Sequence, residues 1–573
     1  MPKLIVRRAP TSPIDLPVQP LLRRIYATRN IRSATELDKE LRGLAPPAAL
    51  RNIDQAVDLL HGALRDRWRI LIVADFDADG ATSCALAVRV LRAFGAAWVG
   101  YRVPNRFEHN YGLTPEIVAL AARDQPDLIV TVDNGISSHE GVKAAQNFGI
   151  QVLITDHHSP GRELPAADVI VNPNQPEDRF PSKCLAGVGV IFYVLSALRA
   201  RLRESGWFVE RGLALPNMAQ FLDLVAFGTV ADVVPLDHLN RILVEQGLRR
   251  IRQGQCVPGI AALCAVAGRN QQRLAASDIG FYLAPRLNAA GRLEDMSQGI
   301  ECLLDDNPDT ARVTAHRLDA INRQRNDITA RMQTQALDSV DRLRVDVGEL
   351  SFGLCLFDPD WHPGVVGIIA GRLKDRLHRP VIVFAPDRDG QLKGSGRSVE
   401  GVHLRDALAA VATHEPGLID HFGGHAMAVG LTLAAEHLER FHQAFDAEIR
   451  HWLSADDLHG RLLSDGELEP DDFSLEVAEL LREAGPWGQG FPEPLFDGIF
   501  EVVSHRVLKD QHLKMLLRPA GAAASVDLEA IAFNRAREFA PGTDRVRIAY
   551  RLEADEWRGA RRLQLRVEHL EMV

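Results

Sequence analysis

Three short runs of branched apolar residues each end in an aspartate, and this repeated pattern constrains the chain more than any other feature. They are RILIVAD (69–75), DLIVTVD (127–133) and QVLITD (151–156). Runs this short and this apolar on both faces are strands buried on both sides. AAWVGYRV (96–103) and DVIVN (168–172) are of the same kind, and helical stretches lie between most of them. Strands alternating with helices predict a doubly wound parallel sheet. In such sheets ligands bind outside the carboxyl ends of the strands. The three strand ends therefore bring Asp75/Asp77/Asp79, Asp133 and Asp156/His157/His158 to one rim.

The loop DFDADG (75–80) has competing readings. A calcium loop of the EF-hand type requires Glu at its twelfth position, which here is Leu86, and a preceding helix where this chain has a strand. An aspartyl-phosphate hydrolase would also place an Asp at the end of its first strand, and a structural helix cap needs only one or two carboxylates. The two further acidic strand ends favour a metal cluster. Four or five ionised carboxylates in one cleft repel by about 4 kcal/mol per pair at 4 Å and an effective dielectric of 20. Without cations several would remain protonated near neutral pH. Two divalent ions neutralise the group, and such a pair suits phosphoryl chemistry. Mixed carboxylate and imidazole ligands suit Mn²⁺ better than an all-oxygen site would, with Mg²⁺ as the alternative. Asp232 ends the apolar stretch that begins at Asp223, and a carboxylate there must be paired or bound to metal.

The rest of the chain divides by pattern. Residues 1–45 are polar and broken by proline, an expected arm; 46–305 carry the acidic sheet and a mostly helical part. Asn307-Pro308 caps a long polar helix, expected over 306–345 as a connector. A second α/β region covers 346–455, with FGLCLF and PVIVFA as strands. Five short strands in the last unit, 456–573, predict a small barrel. The length of 573 residues suits several such units. The net charge of −10 gives no global basic signature, so any nucleic acid would bind a local basic groove. Six scattered cysteines without a CxxC argue against a disulfide framework and a structural zinc site. The N-terminal residues lack the apolar stretch of a signal peptide and no long uncharged apolar run is present, so a cytoplasmic protein with no membrane contact is expected.

DFDADG, VDNG, TDHH and GTVADVVPL stand in the order and spacing of the four motifs of the DHH phosphoesterase family, which the chain resembles. The fuller resemblance is to that family's bacterial single-stranded-DNA-specific exonucleases. It rests on VPNRFEHNYGLT (103–114), LAPRLNAAGRLEDM (283–296), WHPGVVGIIAGRLKDR (361–376), KGSGRS (393–398), FGGHAMAVG (422–430) and GPWGQGFPEPLF (485–496). The chain departs from the family at Ala74, where many relatives carry Gly, and at His109-Asn110.

The resemblance implies a DHH catalytic domain, a DHH-associated second domain and a C-terminal OB-fold. It implies Asp77, Asp79, Asp133, His157 and Asp232 as metal ligands, with Asp75 a ligand or a support. Asp79, Asp133, His157 and His158 form the catalytic set, His158 acting on the transition state or leaving group, and Asp156 orients a histidine. Ser395 and Arg397, with Arg106 and Arg286 or Arg292, would hold a 5′-terminal phosphate, and Lys393 and Asn288 join the DNA-binding set. KGSGRS itself reads as a flexible glycine-rich segment whose backbone N–H groups approach the phosphate. His425 of the GGH motif would contact the nucleotide near the scissile bond. Tyr111 could stack on a base, and Arg506, Lys509, Lys514 and Arg518 would give the barrel a basic groove.

The implied activity is metal-dependent 5′→3′ hydrolysis of single-stranded DNA to 5′-mononucleotides in repair and recombination. The strand would thread between the catalytic and second domains of a monomer, with a helicase and a single-stranded-DNA-binding protein as partners. A phosphatase for short oligonucleotides or nucleotide bisphosphates and a catalytically dead DNA-gripping scaffold are the alternatives. The barrel argues against the first and the intact ligand set against the second.

Overall fold

The computed structural model describes residues 3–10, 16–106, 112–347, 350–387, 390–520, 527–540, 542–557 and 560–573. The expected sheet is present. Its five strands run in the order Trp98–Arg102, Arg69–Ala74, Leu128–Val132, Gln151–Thr155, Val169–Val171, and every neighbouring pair is parallel. Alternate side chains serve two cores. Ile70, Ile72, Leu128 and Val130 pack with the helix Ala78–Ala93, while Leu71, Val73, Ile129 and Val152 pack with the helices Pro115–Ala121 and His139–Asn147. The chain moves outward from Arg69–Ala74 to one edge, then returns to its other side at Leu128–Val132. The strand order therefore reverses between these two strands, and the crevice above them is the natural binding place. Asp75 and Asp133 directly follow them.

Helices fill most of 187–304. The connector helix is Pro308–Val347, 40 residues or about 60 Å of rise. Beyond it a five-stranded sheet has the order His421–Gly424, Ala428–Ala434, Gln391–Arg397, Val381–Pro386, Leu354–Phe357, with only its last pair parallel. The expectation of a flexible loop at KGSGRS is corrected here. Lys393 to Arg397 lie in the central strand of this sheet, paired on both sides, so their N–H groups face neighbouring strands. A side chain at Gly394 would lie 2.5 Å from Phe384, and one at Gly396 2.6 Å from Val429. These glycines admit neighbouring core side chains.

The C-terminal strands Phe496–Leu508, His512–Pro519, Leu528–Ala532, Arg545–Trp557 and Ala560–Met572 close into a barrel. The N-terminal segment is more integrated than a polar arm. Leu4–Arg7 pairs in parallel with Arg461–Ser464, and the helix Pro20–Ala27 buries Leu21, Leu22, Ile25 and Tyr26. Arg29 donates from Nη1 and Nη2 to the two carboxylate oxygens of Asp465, at 2.7 and 2.9 Å, with both side chains buried. No helix among the described residues is long and apolar enough to cross a membrane.

Candidate metal centre and phosphate pocket

The acidic loop is shaped by its own backbone. Asp77 caps the helix Ala78–Ala93, accepting from the N–H groups of Asp79 and Gly80. This turns Asp79 inward, where its carboxylate accepts from Gly187 N at 2.6 Å and Val188 N at 3.1 Å, at the start of the helix Gly187–Glu204. Asp75 accepts from Phe76 N at 2.7 Å, and Asn288 Oδ1 accepts from Ala78 N at 2.9 Å, tying the loop to the helix Ala284–Leu293.

Asp133 adopts φ +62°, a left-handed conformation unfavourable for a side-chain-bearing residue. The neighbouring Asn134 side chain donates to Val73 O and Val132 O and holds this turn between the two central strands. Gly187 packs directly on Asp133: a Cβ there would sit 2.6 Å from that of Asp133. Asp232 follows the helix Leu222–Ala231 as its C-cap. His157 Nε2 lies 3.1 Å from Asp133 Oδ1 and 3.5 Å from Asp232 Oδ2, so residues distant in the chain meet at one ring.

Asp156 points away from this ring. Its Oδ2 accepts from Ile136 N, while Oδ1 accepts from His157 N and His158 N and lies 2.7 Å from His158 Nδ1. Asn174 and Asn172 donate to the His157 and His158 carbonyls. Sequence reasoning did not single out these two asparagines. Across the cleft, the His425 ring lies parallel to His158 at 6.2 Å.

The electrostatics follow from burial. Asp75, Asp133 and Asp232 are pushed well above the usual carboxylate range by burial and then by neighbouring aspartates; Asp79 rises to about 7 for the same reasons. Burial, and then the charge of His158, bring His157 down to about 4, leaving it neutral at pH 7. Burial alone would lower His158, but the Asp156 hydrogen bond raises it to about 9. The donor set fits divalent cations. Asp79/His157/Asp232 and Asp75/Asp77/Asp133 share no residue, and each offers three ligand atoms within 4.8 Å of one another; Asp133/His157/His158 forms a third, overlapping set. A cation at such a set relieves the repulsion that otherwise protonates these carboxylates.

Beside the acidic ring lies a basic pocket built from both lobes. Arg106 stacks over Phe76 at 4.3 Å, and Arg292 donates to Gly364 O at 3.3 Å. Arg397 and Ser395 project from the same face of their strand, 3.1 Å apart, towards Gly367. Burial, followed by the charges of Arg106, Arg325 and Arg397, lowers Arg292 to about 9. Arg286 instead pairs with Asp319 at 2.9 Å, and Lys393 is exposed. Arg325 lies close enough to Arg292 to lower it, and Arg372 close enough to Arg325 to do the same; sequence reasoning singled out neither. Arg325 lies in the charged polar sequence of the connector, where a solvated face reads the same. Tyr111 lies outside the described residues.

Family models match at 69–229 (DHH family, N-terminal domain), 350–451 (DHHA1 domain) and 464–569 (RecJ OB domain). The single-stranded-DNA-specific exonuclease RecJ of Dickeya dadantii (strain 3937) is 54% identical over 569 residues, 99% of this chain and 98% of that protein. The crystal structure of RecJ in complex with Mn²⁺ from Thermus thermophilus superposes with TM-score 0.79 at 30% identity, over 97% of this chain and 76% of that one. The Mg²⁺ complex from the same organism gives TM-score 0.74 at 28% identity, over 97% and 75%.

Proposed function

Because the chain belongs to the RecJ single-stranded-DNA-specific exonucleases of the DHH family, we propose a residue-level account of how it hydrolyses its strand. It is a hydrolase of single-stranded DNA in repair and recombination, and it requires divalent metal, Mn²⁺ or Mg²⁺. Asp75, Asp77, Asp79, Asp133, His157 and Asp232 hold two ions. When bound, the pair supplies an activated water and neutralises charge on the transferring phosphoryl group.

The protein's own groups do the rest. Asp79 draws the start of the helix Gly187–Glu204 onto the site, and Gly187 leaves room for Asp133. His158, kept protonated by Asp156, donates at the scissile phosphate as the bond from phosphorus to O3′ breaks. His425 approaches the same phosphate from the second domain. Arg106, Arg292, Ser395 and Arg397 hold the 5′-terminal phosphate, with Asn288 fixing the acidic loop beside them and Arg286 and Lys393 at the margin. Tyr111 contributes a stacking surface. A phosphate held at fixed distance from the metals makes the pocket a ruler, so 5′-mononucleotides leave one at a time in the 5′→3′ direction. The supporting observation is that a carboxylate ring and a carboxylate-poor arginine pocket adjoin each other across the two lobes.

The units are 1–45, 46–305, 306–345, 346–455 and 456–573, in a monomer working in the cytoplasm with a helicase and a single-stranded-DNA-binding protein. Oligonucleotides labelled at either end, single- and double-stranded, test the account. Mononucleotide release from the 5′ end of single strands is expected; release from the 3′ end overturns it. Arg397→Ala should remove the advantage of a 5′-phosphorylated end over a 5′-hydroxyl end, whereas an equal loss on both contradicts the ruler.

A further inference from the structure

The basic pocket extends beyond what a terminal monophosphate needs. Arg106, Arg292 and Arg397 form its inner part: Arg106 and Arg292 lie close enough to Asp77 to feel its charge, and Arg397 close enough to Arg292 to lower it. Arg397 runs along the helix Val366–Leu377, with Nη2 3.1 Å from the Cβ position of Gly367 and Cγ 4.0 Å from that of Gly371. Arg372 is the next residue on that helix. It is exposed and donates to Gln333 Oε1 of the connector at 2.7 Å. Arg325, also on the connector, donates to Pro285 O at 3.3 Å and to Asn326 Oδ1 at 2.6 Å. The arginines therefore continue from the buried end of the pocket to solvent, between the connector and the second domain.

Charge compensation along this path is sparse. Among the described residues, none of Arg106, Arg292, Arg325, Arg372 or Arg397 forms an ion pair with a carboxylate; the partners of Arg292, Arg325 and Arg372 are carbonyl or amide oxygens. Asp319 serves Arg286 and Arg323 instead. Arg106 Nε and Arg325 Nε are buried without a hydrogen-bond partner, as is Asn322 Oδ1, one helical turn before Arg325. Burial and then the charges of Arg372 and Arg286 hold Arg325 below its usual range. A 5′-monophosphate brings about −1.5 to −2 at neutral pH, which the inner three guanidiniums already match. The outer two favour further phosphoryl groups, and the path to solvent gives these groups room.

We propose that the pocket admits 5′-triphosphate ends, the additional phosphoryl groups lying along Arg325 and Arg372, and that such strands are degraded without prior trimming. This rests on the assignment of the pocket to the 5′ phosphate. The chemistry is unchanged at the scissile bond: water oxygen bonds to phosphorus, the bond from phosphorus to O3′ breaks, and O3′ takes a proton. The first product is a nucleoside 5′-triphosphate, and the shortened strand carries a 5′-monophosphate.

The test uses the full-length protein with Mn²⁺ and one single-stranded DNA sequence bearing a 5′-hydroxyl, 5′-monophosphate or 5′-triphosphate, with products separated by chromatography. The expected result is that both phosphorylated ends outpace the hydroxyl end and that the triphosphate strand releases a nucleoside triphosphate first. Arg372→Ala should lower kcat/KM for the triphosphate end relative to the monophosphate end by about 5-fold, the scale of one exposed charge-assisted contact. A triphosphate end as poor as the hydroxyl end, pyrophosphate released before any nucleotide, or an unchanged ratio in Arg372→Ala overturns the extension and leaves the monophosphate pocket standing. Equal rates on hydroxyl and monophosphate ends overturn the pocket assignment itself.

Discussion

Asp156 decides the charge of its neighbour. Its carboxylate lies 2.7 Å from His158 Nδ1 and raises that imidazole to about 9, so the ring keeps its proton through neutral pH and loses it as pH rises through that value. In Asp156→Asn the alkaline limb of the pH–kcat profile should move to lower pH, with kcat reduced by about 10–100-fold, as for other partners that orient site histidines. An unmoved limb separates His158 from the rate. Gly187→Ala makes a different prediction. A methyl 2.6 Å from the Asp133 Cβ must displace one of them, so Mn²⁺ affinity should fall in a protein with an unchanged far-ultraviolet circular dichroism spectrum. Unaltered affinity by calorimetry contradicts the role of that contact. The clustering of the acidic residues was legible because each ends or follows an apolar segment, where an aspartate is rarely left without a partner or a ligand. The pocket arginines were only partly so. Arg397 stands in a recognisable motif, whereas Arg325 has the spacing of any solvated helix residue, and only tertiary packing turns it inward.

The strand Gln391–Arg397 shows how an element can be misread. Glycines at 394 and 396 and a following arginine suggest a loop that wraps a phosphate, yet the residues alternate strictly. Lys393, Ser395 and Arg397 occupy one face, and Gly394 and Gly396 receive Phe384, Leu431, Val429 and Leu404 on the other. Glycine weakens a strand interior unless a neighbour needs the space, and one sequence does not reveal that neighbour. Gly396→Ala should therefore cost about 1–3 kcal/mol of stability by overpacking, read as a lower Tm. Its preference for 5′-phosphorylated ends should persist in the folded fraction. A normal Tm with lost preference would restore the phosphate-cradling role of the glycines. The doubly wound sheet, the connector and the barrel strands were readable from apolar periodicity and capping because each carries its own local pattern.

At the scale of the whole molecule, the N-terminal segment closes the structure on itself. Arg29 and Asp465 form a buried two-point pair between the start of the chain and the strand leading into the barrel. Polar, proline-broken sequence gave no sign of this, since the partner is over 400 residues away. Arg29→Ala removes the two-point partner of a buried carboxylate, leaving Arg8 Nε at 3.8 Å as its remaining cation, and should cost about 3 kcal/mol, seen as early release of the barrel in limited proteolysis. Wild-type proteolysis would assign the barrel's position to other contacts. The same long-range convergence creates the metal centre, where Asp75, Asp133, His157 and Asp232 meet from four chain segments. The most direct measurement is calorimetric titration of chelator-treated protein with Mn²⁺, alongside hydrolysis of a 5′-phosphorylated single strand. Two bound ions per chain, activity that returns with them, and loss of both in Asp133→Ala are predicted. Full hydrolysis by metal-free protein, or unchanged binding and turnover in Asp133→Ala, would contradict the account.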